Sequence, residues 1–386
     1  MRARSRIVLA AMLLAGVAGL AAAQPPAVNS EGGLAQDYIG PLRAQSCPNG
    51  VASTKGKVVS LSATPVPMQG VNPSNKTVGA LTFVAGFSLK SSDKRFGGLS
   101  GIDLLEDGNL LAVSDQGDFV WLDLGEDGIT PKAARIASLR GADGDALGGK
   151  ANADAEGLAY QDGLALVSFE RDHRVLGYDL AACGASARGA PINFGRFGGD
   201  LAADFARQKL TVDDNSGVEG LAITLDWFLF AGLETRRGYG SPLSARAIES
   251  SPAFEQSIGN GMPPVVGLDV LPDGDDVRVF SLHRATKPLS SDAITIAETR
   301  FKRGLEQANL PARITSDIAE RAHVRFYASP PVVLARMNVF MTIDNFEGIA
   351  AKQMPDGRVR LYVISDDNFS KKQRTLLMIY DVPKPA

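Results

Sequence analysis

Glu156, Glu219 and Glu347 each open a near-identical tetrapeptide: Glu156-Gly157-Leu158-Ala159, Glu219-Gly220-Leu221-Ala222 and Glu347-Gly348-Ile349-Ala350. Recurrence of one local sentence at distant points marks an internal repeat, so the three carboxylates are expected at equivalent positions of a repeated unit. Like charges brought to one place repel one another, and burial adds to the penalty unless a cation sits among them. Calcium takes six to eight oxygen ligands and suits a ring of carboxylates.

Further polar side chains follow the same punctuation. Asp115, Glu170, Glu234, His283 and the pair Asp366-Asp367 come at the end of the second apolar run of successive units. Asn152, Asp154, Asn215, Asp344 and Asn345 stand just before the glutamates. The expected metal ligands are therefore Glu156, Glu219, Glu347, Asp115 and Asp366, with Ca2+ as the ion. Basic residues come immediately after, and of these Arg171, Arg236, Arg284 and Arg374 are expected to hold an anionic substrate, because the guanidinium fork matches phosphate and carboxylate. The competing reading is structural: a glutamate that caps backbone amides or pairs with a neighbouring arginine, and arginines that make rim salt bridges.

Other chemistries find little support. The chain has 3 histidines, which leaves no basis for a histidine-rich metal site. Gly97-Gly98-Leu99-Ser100-Gly101 lacks the spacing of a nucleophile elbow, so Ser100 is a poor nucleophile. No phosphate-binding glycine loop and no dinucleotide fingerprint occurs. Cys47 and Cys183 are not in a CxxC pair, which removes cysteine-ligated zinc.

The elements that must position these groups are short β-strands. Weaker copies of the repeat begin at Ser100-Gly101-Ile102-Asp103 and Val266-Gly267-Leu268-Asp269. Within most copies an apolar run, an Asp-Gly turn and a second apolar run follow in order, as antiparallel hairpins require. Asp107-Gly108, Asp162-Gly163, Asp273-Gly274 and Asp356-Gly357 are those turns, whereas Trp227-Phe228 replaces the third. Repeated antiparallel units of this kind point to an all-β fold, a single β-propeller with a rim insertion. Six blades are expected, with five or seven as alternatives. The wide interval between Val266 and Glu347 leaves room for a degenerate blade over 323–341. The apolar run 81–89 can close the ring with the C-terminal strands. The stretch 184–215, with a short helix at 201–208, and the helix-compatible stretch 298–322 interrupt the pattern and can form a rim over one face or plain surface decoration. Val266, standing where three other copies have glutamate, breaks the symmetry of the ring.

The chain of 386 residues is 45% hydrophobic and 22% charged, ample for a core. Residues 1–23 read as a secretory signal peptide: Arg2, Arg4 and Arg6, then an apolar run, then Ala21-Ala22-Ala23, with cleavage expected after Ala23. Residues 24–80 read as a partly irregular lead-in with a strand near 58–61, and 81–386 as the propeller domain. Loss of the leader makes a chain of net charge −3 more acidic still, which argues against nucleic-acid binding. No later run is long and apolar enough to span a membrane. A periplasmic or secreted monomer is expected. In such a compartment Cys47 and Cys183 can form one disulfide, and two unpaired thiols fit the sequence equally well.

Three segments, 96–119, 154–180 and 344–382, resemble the bacterial phytase-like domain family, labelled "esterase-like activity of phytase". The resemblance runs from about 81 to 382, and the last segment, with Ile364-Ser365-Asp366-Asp367-Asn368-Phe369-Ser370 and Gln373-Arg374-Thr375, is its most specific part. It implies an exported β-propeller with a hydrolytic role on phosphoesters or related esters; the name extends from calcium-dependent propeller phytases. A small anionic ester is then the expected substrate. A metal-dependent lactonase and a non-catalytic envelope binding propeller with structural calcium are the alternatives.

Overall fold

A computed structural model describes residues 38–171, 173–192, 201–210, 217–235, 241–248, 252–259, 261–285, 293–305 and 323–384. The leader, Asn215, Arg236, Arg237, Lys287 and most of 298–322 lie outside these residues.

Five antiparallel sheets make up the fold. Blade 1 runs outward through Leu99–Leu104, Leu110–Ser114, Asp118–Leu124 and Pro131–Ser138. Blade 2 uses Ala155–Gln161, Leu164–Phe169, Val175–Asp179 and Ala190–Pro191. Blade 3 uses Val218–Ile223, Phe228–Leu233, Ser241–Ala247 and Pro252–Ile258. Blade 4 begins with Val265–Asp273, Asp276–Arg284 and Ile294–Leu305. Blade 5 joins both ends of the domain: Asn345–Gln353, Val359–Asp366 and Thr375–Val382, then Leu81–Lys90 as its fourth strand. The inner strand of each blade packs on that of the next, and blade 5 on blade 1, so the ring is closed.

The blade count corrects the expectation of six. Residues 323–341 do not make a blade. Val332–Met337 pairs with the first half of the long strand Ile294–Leu305, and Val324–Ala328 pairs with its second half. Two short strands thus share the outer edge of blade 4, which is where the wide sequence interval is used up. The apolar core agrees, because it falls into five clusters that each fill one blade-to-blade interface.

Glycine at the second position of the tetrapeptide is explained by this ring. A Cβ added to Gly101 would lie 2.6 Å from the Glu156 carbonyl oxygen, one on Gly157 2.9 Å from that of Glu219, and one on Gly267 2.4 Å from that of Glu347. Five inner strands around one axis come closer than any side chain permits. The Asp-Gly turns behave as the sequence suggests, with φ of 82° at Gly108, 72° at Gly163, 66° at Gly274 and 89° at Gly357. In the third hairpin the buried Trp227 takes φ 66° itself.

The lead-in is a belt. The helix Gly40–Ser46 lies against blade 2, Lys57–Val59 pairs with the outer strand of blade 1, and Ser62–Pro65 pairs with Leu81–Lys90 in blade 5. Cys47 and Cys183 are joined by a disulfide across 136 residues of sequence, and Arg43 bonds Asp179 at 3.1 Å. The belt therefore crosses the seam between the first and last blades. A disulfide suits an oxidising compartment, and no helix among the described residues is long and apolar enough to cross a membrane. The expected helix in the 184–215 stretch is present as Leu201–Arg207, held to blade 3 by a buried Asp204–Arg246 pair at 3.1 Å.

Candidate functional site

A β-bulge aims the key side chains. Strand pairing slips between Leu99 and Gly101, between Val218 and Gly220, between Val265 and Gly267, and between Phe346 and Gly348. The residue in each gap is Ser100, Glu219, Val266 or Glu347. In blade 2 the irregularity brings Ser168 opposite the equivalent Glu156-Gly157 step. A bulge re-aims the extra residue out of the ladder, so the first tetrapeptide position is the one turned away from ordinary sheet packing.

Glu156, Glu219 and Glu347 are all buried, at 9%, 7% and 7% exposure, and they sense one another. Burial raises the Glu156 carboxyl well above the ordinary range, and the charges of Glu219 and Glu347 push it further. Glu219 is raised by burial, then by Glu234 and Glu347. Burial lifts Glu347 to about 8 even though Arg284 opposes it. Asp366 is lifted to about 6, chiefly by burial, with Asp115 among the charges acting on it. Asp115 is also raised by burial, against the hydrogen bond it accepts from Lys150. The tightest grouping is Asp154, Glu156 and Glu170, whose nearest oxygens all lie within 4.8 Å of one another. Glu170 is lifted to about 7 by burial and then by Asp154. Sequence reasoning placed Asp154 and Glu170 near the site but not in the ligand set; only the packing of strand start against strand end reveals that they close around Glu156.

The cations are engaged with these acids. Arg284 places Nη2 3.1 Å from Glu347 Oε1 and 3.6 Å from Glu234 Oε1, and its Nη1 donates to Asn345 Oδ1 at 2.6 Å. Asn345 in turn donates to Glu347 Oε1 at 2.8 Å. Arg171 donates from Nε to Asp154 Oδ2 at 2.7 Å, and Arg374 from Nε to Asp344 Oδ2 at 3.1 Å. Lys150, unremarked in the sequence, bonds Asp115 Oδ2 at 3.0 Å and lies 3.4 Å from Asp154 Oδ1. His283 is fully buried between Ser241, Ser281 and the Pro263 carbonyl, a structural position. Ser100 is buried, with its hydroxyl 3.4 Å from the Gly98 carbonyl oxygen.

A hard cation fits this donor set. All the donors are oxygens, the chemistry calcium selects. Asp115 Oδ1 is buried without a hydrogen-bond partner. Burial comes first among the causes that raise Glu156 and Glu219, followed by the charges of other carboxylates. A buried carboxylate oxygen left without a donor is uncommon, and a metal ion is one partner that satisfies it.

Fold and site together define a five-bladed β-propeller with an acidic axial site. The family model for phytase-like proteins, esterase-like activity of phytase, matches residues 94–369, and the chain belongs to that family. A search of curated proteins finds no match. Among solved structures, the catalytic domain of a GH62 α-L-arabinofuranosidase from Coprinopsis cinerea is similar at TM-score 0.42 and 12% identity, over 84% of this chain and 97% of that one. An exo-1,5-α-L-arabinanase from a bovine ruminal metagenomic library gives 0.40 and 11%, over 74% and 94%. Glutaminyl cyclase of Myxococcus xanthus gives 0.40 and 12%, over 79% and 97%. Likeness at this level says nothing of chemistry.

Proposed function

We propose that the chain is an exported, divalent-cation-dependent hydrolase of phosphoesters or related esters, with calcium as the ion. The observation that carries this reading is the grouping of buried Asp154 and Glu156 with half-buried Glu170 within 4.8 Å, beside two further glutamates that burial and neighbouring carboxylates hold above their ordinary range. Asp154, Glu156 and Glu170 would hold the ion, with Glu219 on the adjoining blade 3, Glu347 on blade 5, and Asp115 and Asp366 as further ligands. A bound ion would offset the repulsion and supply an acidified water and a positive charge for the ester oxygen.

The chain's own groups do the rest. Glu347 accepts from Asn345 at 2.8 Å and lies 3.1 Å from Arg284, contacts that hold its carboxyl toward the site. Arg284 serves as the inner counter-charge. Arg171 and Arg374, whose side chains are 37% and 45% exposed, fix Asp154 and Asp344 at the rim of the site; Arg236 lies outside the described residues.

One observation favours a metal-dependent lactonase as the second reading. Arg171, Arg284 and Arg374 are each already bonded to a carboxylate, an arrangement that an uncharged ester tolerates as well as an anionic one. The test is hydrolysis of p-nitrophenyl phosphate, phytate, p-nitrophenyl acetate and a lactone panel, each with and without chelator. Chelator-sensitive turnover of phosphoesters is expected. Turnover of lactones alone selects the second reading. No turnover, with calcium still raising the melting temperature, points to a binding propeller.

A further inference from the structure

We propose that Lys150 is the residue that takes the anionic oxygen of the substrate, which makes a phosphoester the substrate class; this rests on the metal-dependent reading above. Lys150 begins the short helix Lys150–Ala153 in the connection from blade 1 to blade 2. Its ammonium is held between carboxylates of two blades, 3.0 Å from Asp115 Oδ2 and 3.4 Å from Asp154 Oδ1. An ammonium has three donors and no acceptor, so one donor remains after both contacts. The side chain is 54% exposed, so the ammonium can be approached from solvent.

Three other described cations of this face are used differently. Arg284 is drawn inward, 22% exposed, and shared by Glu347, Glu234 and Asn345. Arg374 bonds Asp344 and the Ile343 carbonyl. Arg171 is committed to Asp154. Lys150 is the most exposed of the four and the one on a flexible four-carbon stem.

Its partners are fixed where it is not. Asp154 is fully buried, and Asp115 keeps its second oxygen buried and unpartnered. An ordinary exposed ion pair has little reason to bridge two buried acids from separate blades. A tethered cation beside a cation-binding acid cluster does have one. A phosphoryl group carries more than one anionic oxygen, so the bound ion would take one and the Lys150 ammonium another. A lactone offers a single carbonyl oxygen and leaves Lys150 without a task.

The experiment uses the full chain, stripped with chelator and reloaded with calcium, as wild type, Lys150→Met and Lys150→Arg. Calorimetry measures calcium binding first and then inorganic phosphate binding at saturating calcium. Expected are calcium affinity in Lys150→Met no lower than in wild type, since a positive charge beside Asp115 and Asp154 is removed, phosphate binding weaker by roughly tenfold or more in Lys150→Met, and partial recovery in Lys150→Arg, as loss of one charge-assisted hydrogen bond implies. The KM for p-nitrophenyl phosphate rises more in Lys150→Met than the KM for p-nitrophenyl acetate does. Equal phosphate affinity in wild type and Lys150→Met, or no phosphate binding by calcium-loaded wild type, overturns the assignment. Absence of calcium binding by wild type overturns instead the reading on which it rests.

Discussion

Arg284 Nη2 lies 3.1 Å from Glu347 Oε1. Through that contact blade 4, whose own bulge position is Val266, brings a cation rather than a carboxylate to the axial site. Replacing Arg284 by Met removes this internal counter-charge. Calcium is expected to bind more tightly, by about tenfold for each 1.4 kcal/mol of repulsion removed. The chelated protein is expected to lose about 3 kcal/mol, the lower end of the range for breaking a largely buried pair. Calorimetry and urea unfolding in chelator check the two halves. A variant that binds calcium less tightly would show that Arg284 supports the ion's site rather than competing with it.

Close packing at the axis is testable at Gly267. A methyl group there would stand 2.4 Å from a backbone carbonyl oxygen, and backbone cannot step aside as a side-chain tip can. Gly267→Ala is expected to lose roughly 2–3 kcal/mol in urea unfolding. Gly70→Ala, with nothing near the added atom, is expected to stay within about 0.5 kcal/mol of wild type.

Opening the belt is expected to weaken the ring at its seam. The Cys47–Cys183 bond closes 136 residues of sequence, and loops of that order contribute about 4–5 kcal/mol in the chain-entropy account. A Cys47→Ser, Cys183→Ser variant should unfold at lower urea and be nicked sooner by protease within 47–65. Unchanged proteolysis would mean that pairing with blades 1 and 5 holds the belt without the bond.

The two blades without a glutamate at the bulge position carry an aspartate three residues later. Asp103 accepts from Leu104 N and Tyr160 N, both at 2.6 Å. Asp269 accepts from Val270 N at 2.6 Å and Ala351 N at 2.5 Å. Each therefore ties its blade to the next. Burial lifts Asp269 to about 7 and raises Asp103, which Asp269 raises further. A folded carboxyl above its unfolded value binds the extra proton in the native state. Its stabilising contribution is therefore complete at low pH and is lost as pH rises from about 4 to about 7. Asp103→Asn with Asp269→Asn should thus be less stable than wild type near pH 4.5, with the deficit shrinking by pH 8 by on the order of 2–4 kcal/mol. A deficit that grows with pH would contradict the sign.

Much of this architecture is legible in the residues. Glu-Gly-Leu-Ala and its variants mark every inner strand because the axis demands glycine at one fixed place. The run 81–89 is legible as a strand that can close the ring, since it is apolar and stands before the first copy of the repeat. The blade count is not legible, because an interval counts residues and cannot tell a new blade from two short strands shared along Ile294–Leu305. Nor is the part played by Lys150, Asp154 and Glu170. Their significance comes from the meeting of one blade's strand end with the next blade's strand start, a relation between distant segments that no local pattern encodes.

The account stands or falls on cation binding at the axial acids. Calorimetric titration of calcium into chelator-stripped protein, wild type beside Glu156→Gln and Glu219→Gln, measures this directly. The account predicts saturable binding to wild type with release of protons, and an affinity at least about tenfold lower in each variant. Equal calcium binding by all three proteins, or none by wild type, would contradict it.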